Sequence, residues 1–519
     1  MPIEEKPTPA STVMSVEDRD ALKLETALGH KQQMQRNFGL LSLTSLGIVV
    51  ANAWSLTGGT IVIAIFNGGP MAVLYGLILV TFFYTLISLS LSELISSIPS
   101  SGGVYHIATI TGGPRYGRIL GFYTGLLNIS GWLLSAASIS STLGNELVAL
   151  WNLTHPAAEW KAWHVFIAFQ LVNWSCCAIV ITCHKRLPAI NTAALWLSMG
   201  GLVVTVLTLV IMPRGRYASS DSVWRTYEDR TGWNNDGICF ILGLINAAFA
   251  VGTPDSLSHL SEEIPNPERL VPRGILLQLA TSFTTAFIYL VALFYSINDL
   301  EAVLGSTSRF PTAEIYRQAT GSTSGAVGLT VVLFLATFPT LIGTLITGGR
   351  TLWSLARDGA VPGGSFFAAV SPRFGGPVRA TIAVSACASV LSIVYIFSTT
   401  AFSALITSYI VLSSLSYAGA IGGHVATGRK AVVPGPFWLG RWGWAVNLGS
   451  LAWISVMVVF FCWPFVKPVT KANMNWTSVI VTGLAVAITG WWLWGARGVY
   501  KGPRYFREAA EKLNDGTEE

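Results

Sequence analysis

The sequence predicts an all-α membrane protein of twelve transmembrane helices, arranged as a 5+5 inverted repeat with discontinuous helices 1 and 6 and with helices 11 and 12 appended. Three observations predict it. Of 519 residues only 11% are charged and 52% are hydrophobic, against roughly 25% charged in an average soluble domain. The hydrophobic residues gather into stretches of about 20 or more, the length that crosses a bilayer. The first and sixth stretches are interrupted at matching depths by polar and helix-breaking residues.

The spans fall near 40–66, 70–97, 118–144, 163–183, 188–211 and 238–260 in the first half, and near 272–296, 325–348, 378–398, 402–426, 445–466 and 476–496 in the second. Span 1 carries Asn52, Ser55, Thr57, Gly58 and Gly59 in its middle, and span 6 carries Gly252, Thr253, Pro254 and Asp255 in its second half. An unpaired amide or carbonyl in hydrocarbon costs several kcal/mol. Broken helices therefore belong where protein or a water-filled cavity surrounds them, and in carriers such paired breaks build the substrate site. Residues 1–37 are polar without an apolar core and predict a tail rather than a signal sequence, 38–496 predict one polytopic domain, and 497–519 predict a second charged tail.

The formal charge of +6 is spread over loops rather than stacked on one face, so it points to topology and not to nucleic acid. With the amino terminus inside, 23 of the 32 Lys and Arg fall on cytoplasmic segments, which predicts both termini in the cytoplasm. The sequons at Asn152 and Asn475 fall on the predicted outer side and are candidate glycosylation sites. The six cysteines form no C-x-x-C pair, so no metal or disulfide framework is expected.

A carboxylate needs backbone donors, and the amino terminus of a half-helix supplies amides and the positive end of a dipole. Span 1 offers that near Ala53 to Gly59, with Asn52 beside it. An amine needs carbonyls and aromatic faces, for which Trp54 and Phe249 are candidates together with Gly252 and Thr253. Asn128 and Trp132, one turn apart on span 3, are candidates to complete the site. Intramembrane acids are costly and usually functional. Glu93 and Glu146 lie near opposite membrane faces, where water is expected to reach them, and Asp255 lies at the break. On a helix Asp255, His259 and Glu262 share one face and, with Glu93, are candidates for a gate or for proton coupling. Thr337 and Thr340 on span 8 are candidate hydroxyl donors to substrate or ion.

Ala51-Asn52-Ala53-Trp54, Gly68-Gly69-Pro70, Leu91-Ser92-Glu93-Leu94 running into Pro99-Ser100-Ser101-Gly102-Gly103-Val104-Tyr105, Asp255 through Glu263 with Pro267 and Pro272, and Ala356 through Pro362 resemble the amino acid-polyamine-organocation (APC) superfamily. Within it they are similar to the fungal amino acid/choline permeases. The resemblance covers nearly the whole membrane region and implies the APC-like fold and alternating-access transport of an amino acid, 4-aminobutyrate, choline or polyamine, with protons as the coupling ion. At span 6 relatives often carry Gly, an aromatic and then Asp, where this chain carries Thr253, Pro254 and Asp255. A six-plus-six bundle is disfavoured, because the central loop is short and no Asp-Arg signature follows span 2.

The reading is therefore a permease in the lipid bilayer, at the plasma membrane or an endomembrane, with a small amine or amino acid as substrate and no cofactor. An enzyme would gather His, Asp, Glu or Cys at one depth, and a primary pump would carry G-x-x-x-x-G-K-[ST]; the sequence has neither. A carrier serving a specialised-metabolite pathway, by precursor import or product export, and a nutrient sensor with the same fold are the alternatives.

Overall fold

The computed structural model describes residues 38–155, 160–306, 308, 310–398, 400–470 and 473–503; the tails at 1–37 and 504–519 lie outside them. Eleven helices among these residues are long and apolar enough to cross a membrane, and the sixth predicted span is the shorter apolar helix Asp236–Val251. Spans 2, 3, 4 and 5 are Gly69–Ser97, Gly113–Thr154, Ala162–Thr182 and Leu187–Ile211. Spans 7 to 12 are Pro267–Tyr295, Thr323–Arg357, Val378–Phe397, Thr400–Ala426, Gly443–Phe460 and Thr477–Trp491.

Both expected discontinuities are present. Span 6 ends at Val251, turns through Gly252 to Leu257, and resumes as a tight 3₁₀ segment, Ser258–Glu263. Pro254 has no amide to continue the ladder. Span 1 is split into Leu40–Val50 and Ala53–Phe66, with Ala51 at φ −97°, ψ 51° and Asn52 at φ −72°, ψ 69°. The break thus falls several residues before Gly58 and Gly59, which sit inside the second helix. Glycine weakens a helix by about 1 kcal/mol without ending it. At Gly58 its value is close approach, since an added Cβ would lie 3.3 Å from Thr312 Oγ1, which donates to the Gly58 carbonyl at 2.8 Å.

Span 3 is longer than expected, running 42 residues, about 63 Å at 1.5 Å per residue. The loop expected between spans 2 and 3 contains a buried helix, Val104–Thr111. Spans 3, 8 and 10 wall the two breaks. Span 10 is 83% buried over its apolar window and span 12 only 17%, so the appended helices stand at the periphery. Residues 497–500, expected in the tail, pack on span 3 through Arg118 Nε, which donates to the Tyr500 carbonyl at 2.7 Å.

Candidate functional site

The backbone freed at the breaks is taken up by side chains. Ser282 Oγ donates to the Ala51 carbonyl at 2.8 Å, and one turn earlier on span 7 Gln278 Nε2 donates to the Thr253 carbonyl at 2.9 Å. Thr340 Oγ1 donates to the Val49 carbonyl at 2.8 Å, and Asn52 Nδ2 donates to the Ala336 carbonyl at 2.7 Å. These bonds tie span 1 to spans 7 and 8 and hold its non-helical turn in place.

Beside the span 6 break lies Asp255, wholly buried. Its carboxylate accepts from Tyr417 Oη at 2.6 Å and from Asn128 Nδ2 at 2.8 Å, with His259 Nε2 at 3.3 Å. Asn128 Nδ2 also reaches Ser416 Oγ at 3.2 Å. Rings surround this group. Trp132 meets His259 edge-on at 6.4 Å between centroids and Tyr409 at 6.3 Å, and Phe249 meets Tyr409 edge-on at 6.1 Å. The Gly252 carbonyl faces both Tyr409 and Tyr417 hydroxyls at 3.4 Å.

The structure thus brings together Asn128, Trp132, Phe249, Gly252, Thr253, Asp255 and His259. It leads Asn52 and Trp54 elsewhere. Trp54 Nε1 donates to Ser198 Oγ at 3.0 Å and its ring meets Tyr289 at 5.5 Å, while Asn52 Oδ1 accepts from Ser198 at 3.0 Å. Both side chains are wedged among spans 5, 7 and 8, and the backbone of Ala51 and Asn52, with the start of the second helix at Ala53, is what remains on the break. Tyr409, Tyr417, Ser416, Gln278 and Ser282 are additions that sequence reading missed. Two tyrosines in one apolar stretch were the available signal, because a buried phenol usually finds a partner.

The expected shared face of Asp255, His259 and Glu262 is divided, because residues 258–263 wind as 3₁₀. Asp255 keeps His259. Glu262 instead turns to Arg357 at 3.1 Å and to Ser101. Glu263 pairs with Arg350, Nη2 to Oε2 at 2.9 Å. Asp358 accepts from Tyr105 Oη at 2.8 Å and faces His106 Nε2 at 2.6 Å. Gly103, at φ 57°, lets this loop press on the 3₁₀ segment, where an added Cβ would lie 2.6 Å from Ser258 Oγ. One end of the bundle is therefore sealed by buried ion pairs.

Three placements correct the expectations. Glu93 is wholly buried, bound to Arg429 and to the Leu439 amide at 3.1 Å. Glu146 is also wholly buried, because span 3 continues two turns past it to Thr154; Thr337 Oγ1 lies 3.5 Å from it. Asn475, expected to face the outer solution, is 5% exposed and its amide nitrogen donates to the Phe461 and Trp463 carbonyls at 2.7 and 2.9 Å. Asn152 is half-buried in the last turn of span 3.

A multi-pass bundle of this kind, with two broken helices and a buried carboxylate beside the second break, has the build of a secondary transporter. The chain belongs to the family described as Amino acid permease, which it matches over residues 38–485. It is 33% identical to the choline transporter of Saccharomyces cerevisiae, over 98% of this chain and 88% of that protein. It is 25% identical to a putative amino acid/polyamine transporter of Macrophomina phaseolina, over 83% of this chain and 95% of that protein. Among solved structures, the manganese transporter of Eremococcus coleocola superposes with a TM-score of 0.55 over 92% of this chain and 98% of that one. At 13% identity this likeness concerns the fold alone.

Proposed function

We propose that the chain carries a small organic cation by alternating access, with choline the first candidate and amino acids or polyamines next, driven by a proton gradient. The observation that carries this reading is Asp255 at the span 6 break, with Trp132, Phe249, Tyr409 and Tyr417 about it. A quaternary ammonium has no N–H to donate, so its recognition rests on a carboxylate and ring faces. Of the three contacts to Asp255, that of His259 is the longest, and a bound cation displaces it at least cost. The name of the Saccharomyces relative supports choline, and that of the Macrophomina relative supports a wider range of amines.

The bias of Lys and Arg supports cytoplasmic termini. The ion pairs of Glu262, Glu263 and Asp358 then form the cytoplasmic gate, closed in this conformation, with plasma membrane as the proposed location. The test is uptake of labelled choline, 4-aminobutyrate and spermidine by cells lacking their own carriers, with and without a protonophore. Choline accumulation that collapses with the protonophore supports the reading. Accumulation that survives it removes protons as the driving ion, and uptake of none of the three removes the organic-cation assignment. Orientation is read from cysteines replacing exposed Lys161 and Lys185 in a cysteine-free carrier. Only the first is expected to react from outside.

A further inference from the structure

Among the described residues, the buried acids Glu93, Asp255, Glu262, Glu263 and Asp358 each face an arginine or a histidine. Glu146 does not. Its Oε1 has only the Thr337 hydroxyl at 3.5 Å, and that hydroxyl also donates to the Leu333 carbonyl at 2.9 Å. Its Oε2 has no hydrogen-bond partner among the described residues. The titratable neighbours are Tyr289 of span 7 and Tyr316 of the helix Thr312–Thr320, whose hydroxyls bond each other at 2.7 Å. On span 9, Tyr395 donates to the adjoining Asn145 at 3.1 Å. Span 4 approaches at Gly144 with Val165 and Phe169. Span 8 presents Thr337, and among the described residues no ion pair involves Glu146. An ionised carboxylate in this setting lacks both a counter-charge and donors to replace its water, which disfavours burying it.

Position gives this orphan a consequence. Thr337 follows Ala336, whose carbonyl holds Asn52 at the span 1 break, so Glu146 bridges span 3 to span 8 beside that break. Asn128, the partner of Asp255, lies 18 residues earlier on span 3, about 27 Å along the axis at 1.5 Å per residue. Glu146 therefore stands on the far side of the break from the ion-paired gate, in the half that must open when the gate is shut.

We propose that this outer half closes only after Glu146 takes a proton from the outer solution, so that this carboxyl makes closure of the outer half depend on the external pH. Hydronium transfers its proton to one carboxylate oxygen, an O–H bond forms, and water leaves as spans 3 and 8 close over the neutral acid. When the spans part again, the bond breaks and the proton passes to the water that reaches it. The proposal rests on the transport reading above but requires neither choline nor a proton-driven cycle for its test.

The test uses the full-length carrier in oriented proteoliposomes, made cysteine-free and given Leu333→Cys one turn from Thr337. The rate at which an impermeant maleimide modifies this cysteine from outside reports opening of the outer half. It is compared at each pH with the rate in L333C/E146Q, where the neutral amide imitates the protonated acid. The ratio of the two rates cancels the ionisation of the thiol. It is expected to rise at least about tenfold between pH 5 and pH 8, because ionised Glu146 holds the outer half open and glutamine does not. Glu146→Asp is expected to keep a rising ratio, which a merely space-filling role does not predict. A flat ratio in L333C against L333C/E146Q overturns the proposal, whatever the substrate proves to be. Loss of protonophore sensitivity in the uptake assay with a rising ratio here would instead refute proton drive and leave Glu146 as the sensor.

Discussion

Tyr417 and Asp255 lie across the break in span 6, the phenol donating to the carboxylate at 2.6 Å, shorter than any other bond to that group. A hydrogen bond to a charged acceptor contributes about 1.5–3 kcal/mol, which is roughly 10- to 150-fold in affinity if the bond orients Asp255 for the substrate. Tyr417→Phe is therefore expected to weaken binding of labelled substrate to purified carrier by at least about tenfold. Tyr409→Phe is expected to do less, because its hydroxyl reaches the Gly252 carbonyl only at 3.4 Å. Equal losses in the two variants would mean that Asp255 does not set affinity.

At the sealed end, Arg350 and Glu263 are 2% and 4% exposed at their side chains. Removing one member of a buried pair leaves an uncompensated charge and costs about 3–5 kcal/mol, whereas replacing both by apolar residues is often neutral. Arg350→Met alone is expected to lower the melting temperature of detergent-purified carrier markedly. Arg350→Met with Glu263→Met is expected to recover most of it while leaving the gate easier to open, so that a cysteine at buried Ser261 becomes reactive from the cytoplasmic side. A double variant no more stable than the single one, with Ser261→Cys still unreactive, would refute this role.

The positions of the spans were legible because hydrocarbon demands long apolar runs and tolerates few exceptions. The span 6 break was legible for a local reason: Gly252 and Pro254 cannot hold a regular helix together. The span 1 break was legible only as a broad stretch from Asn52 to Gly59, because its true cause is tertiary. Ala51 and Asn52 are kept out of helical geometry by Ser282, Ala336 and Ser198, on three other spans. The same holds for the acids. A hydropathy window puts Glu93 at an aqueous edge, but its partner Arg429 lies 336 residues away in the chain, and no local pattern announces such a pair. Glu146 was misjudged because the apolar window stops at a charge, while the helix does not.

On the opposite face, a strap between spans 5 and 6 is clasped by Arg230. Its amide donates to the Phe66 carbonyl at 3.2 Å, and its guanidinium pairs with Glu228 at 2.6 Å and Glu301 at 2.7 Å. The hydrogen bond from Arg230 holds the Glu301 carboxyl below the usual carboxylate range. A depressed acid contributes its share above the unfolded pKa of about 4.3 and loses it as the pH falls through the lower folded value. Hydrogen exchange of the strap amides, corrected for intrinsic rates, is therefore expected to be unchanged from pH 7 to pH 5. Arg230→Gln is expected to speed it a few-fold throughout, a small effect in keeping with an exposed clasp. Wild-type protection that already falls between pH 7 and pH 5 would count against the clasp.

Asn52 offers the sharpest test of the two breaks as one site. Its amide nitrogen holds the Ala336 carbonyl at 2.7 Å and its oxygen holds Ser198 at 3.0 Å, while Ser198 also receives the Trp54 indole at 3.0 Å. Asn52→Ala removes both tethers and places three alanines in a row at 51–53, the residue most favourable to helix. Span 1 is then free to close its ladder, drawing the Ala51 carbonyl from Ser282 Oγ, now at 2.8 Å, and withdrawing the amides at the start of its second half. Direct binding of labelled substrate is expected to weaken by at least about tenfold, or 1.4 kcal/mol. Gly58→Leu with Gly59→Leu perturbs packing on Thr312 rather than the break, and is expected to change affinity less than Asn52→Ala. The control is Asn447→Ala in span 11, where both side-chain polar atoms are buried without a partner among the described residues, so that truncation removes no bond described there. Unchanged affinity in a well-folded Asn52→Ala carrier would separate span 1 from the substrate and leave the span 6 carboxylate to bind alone.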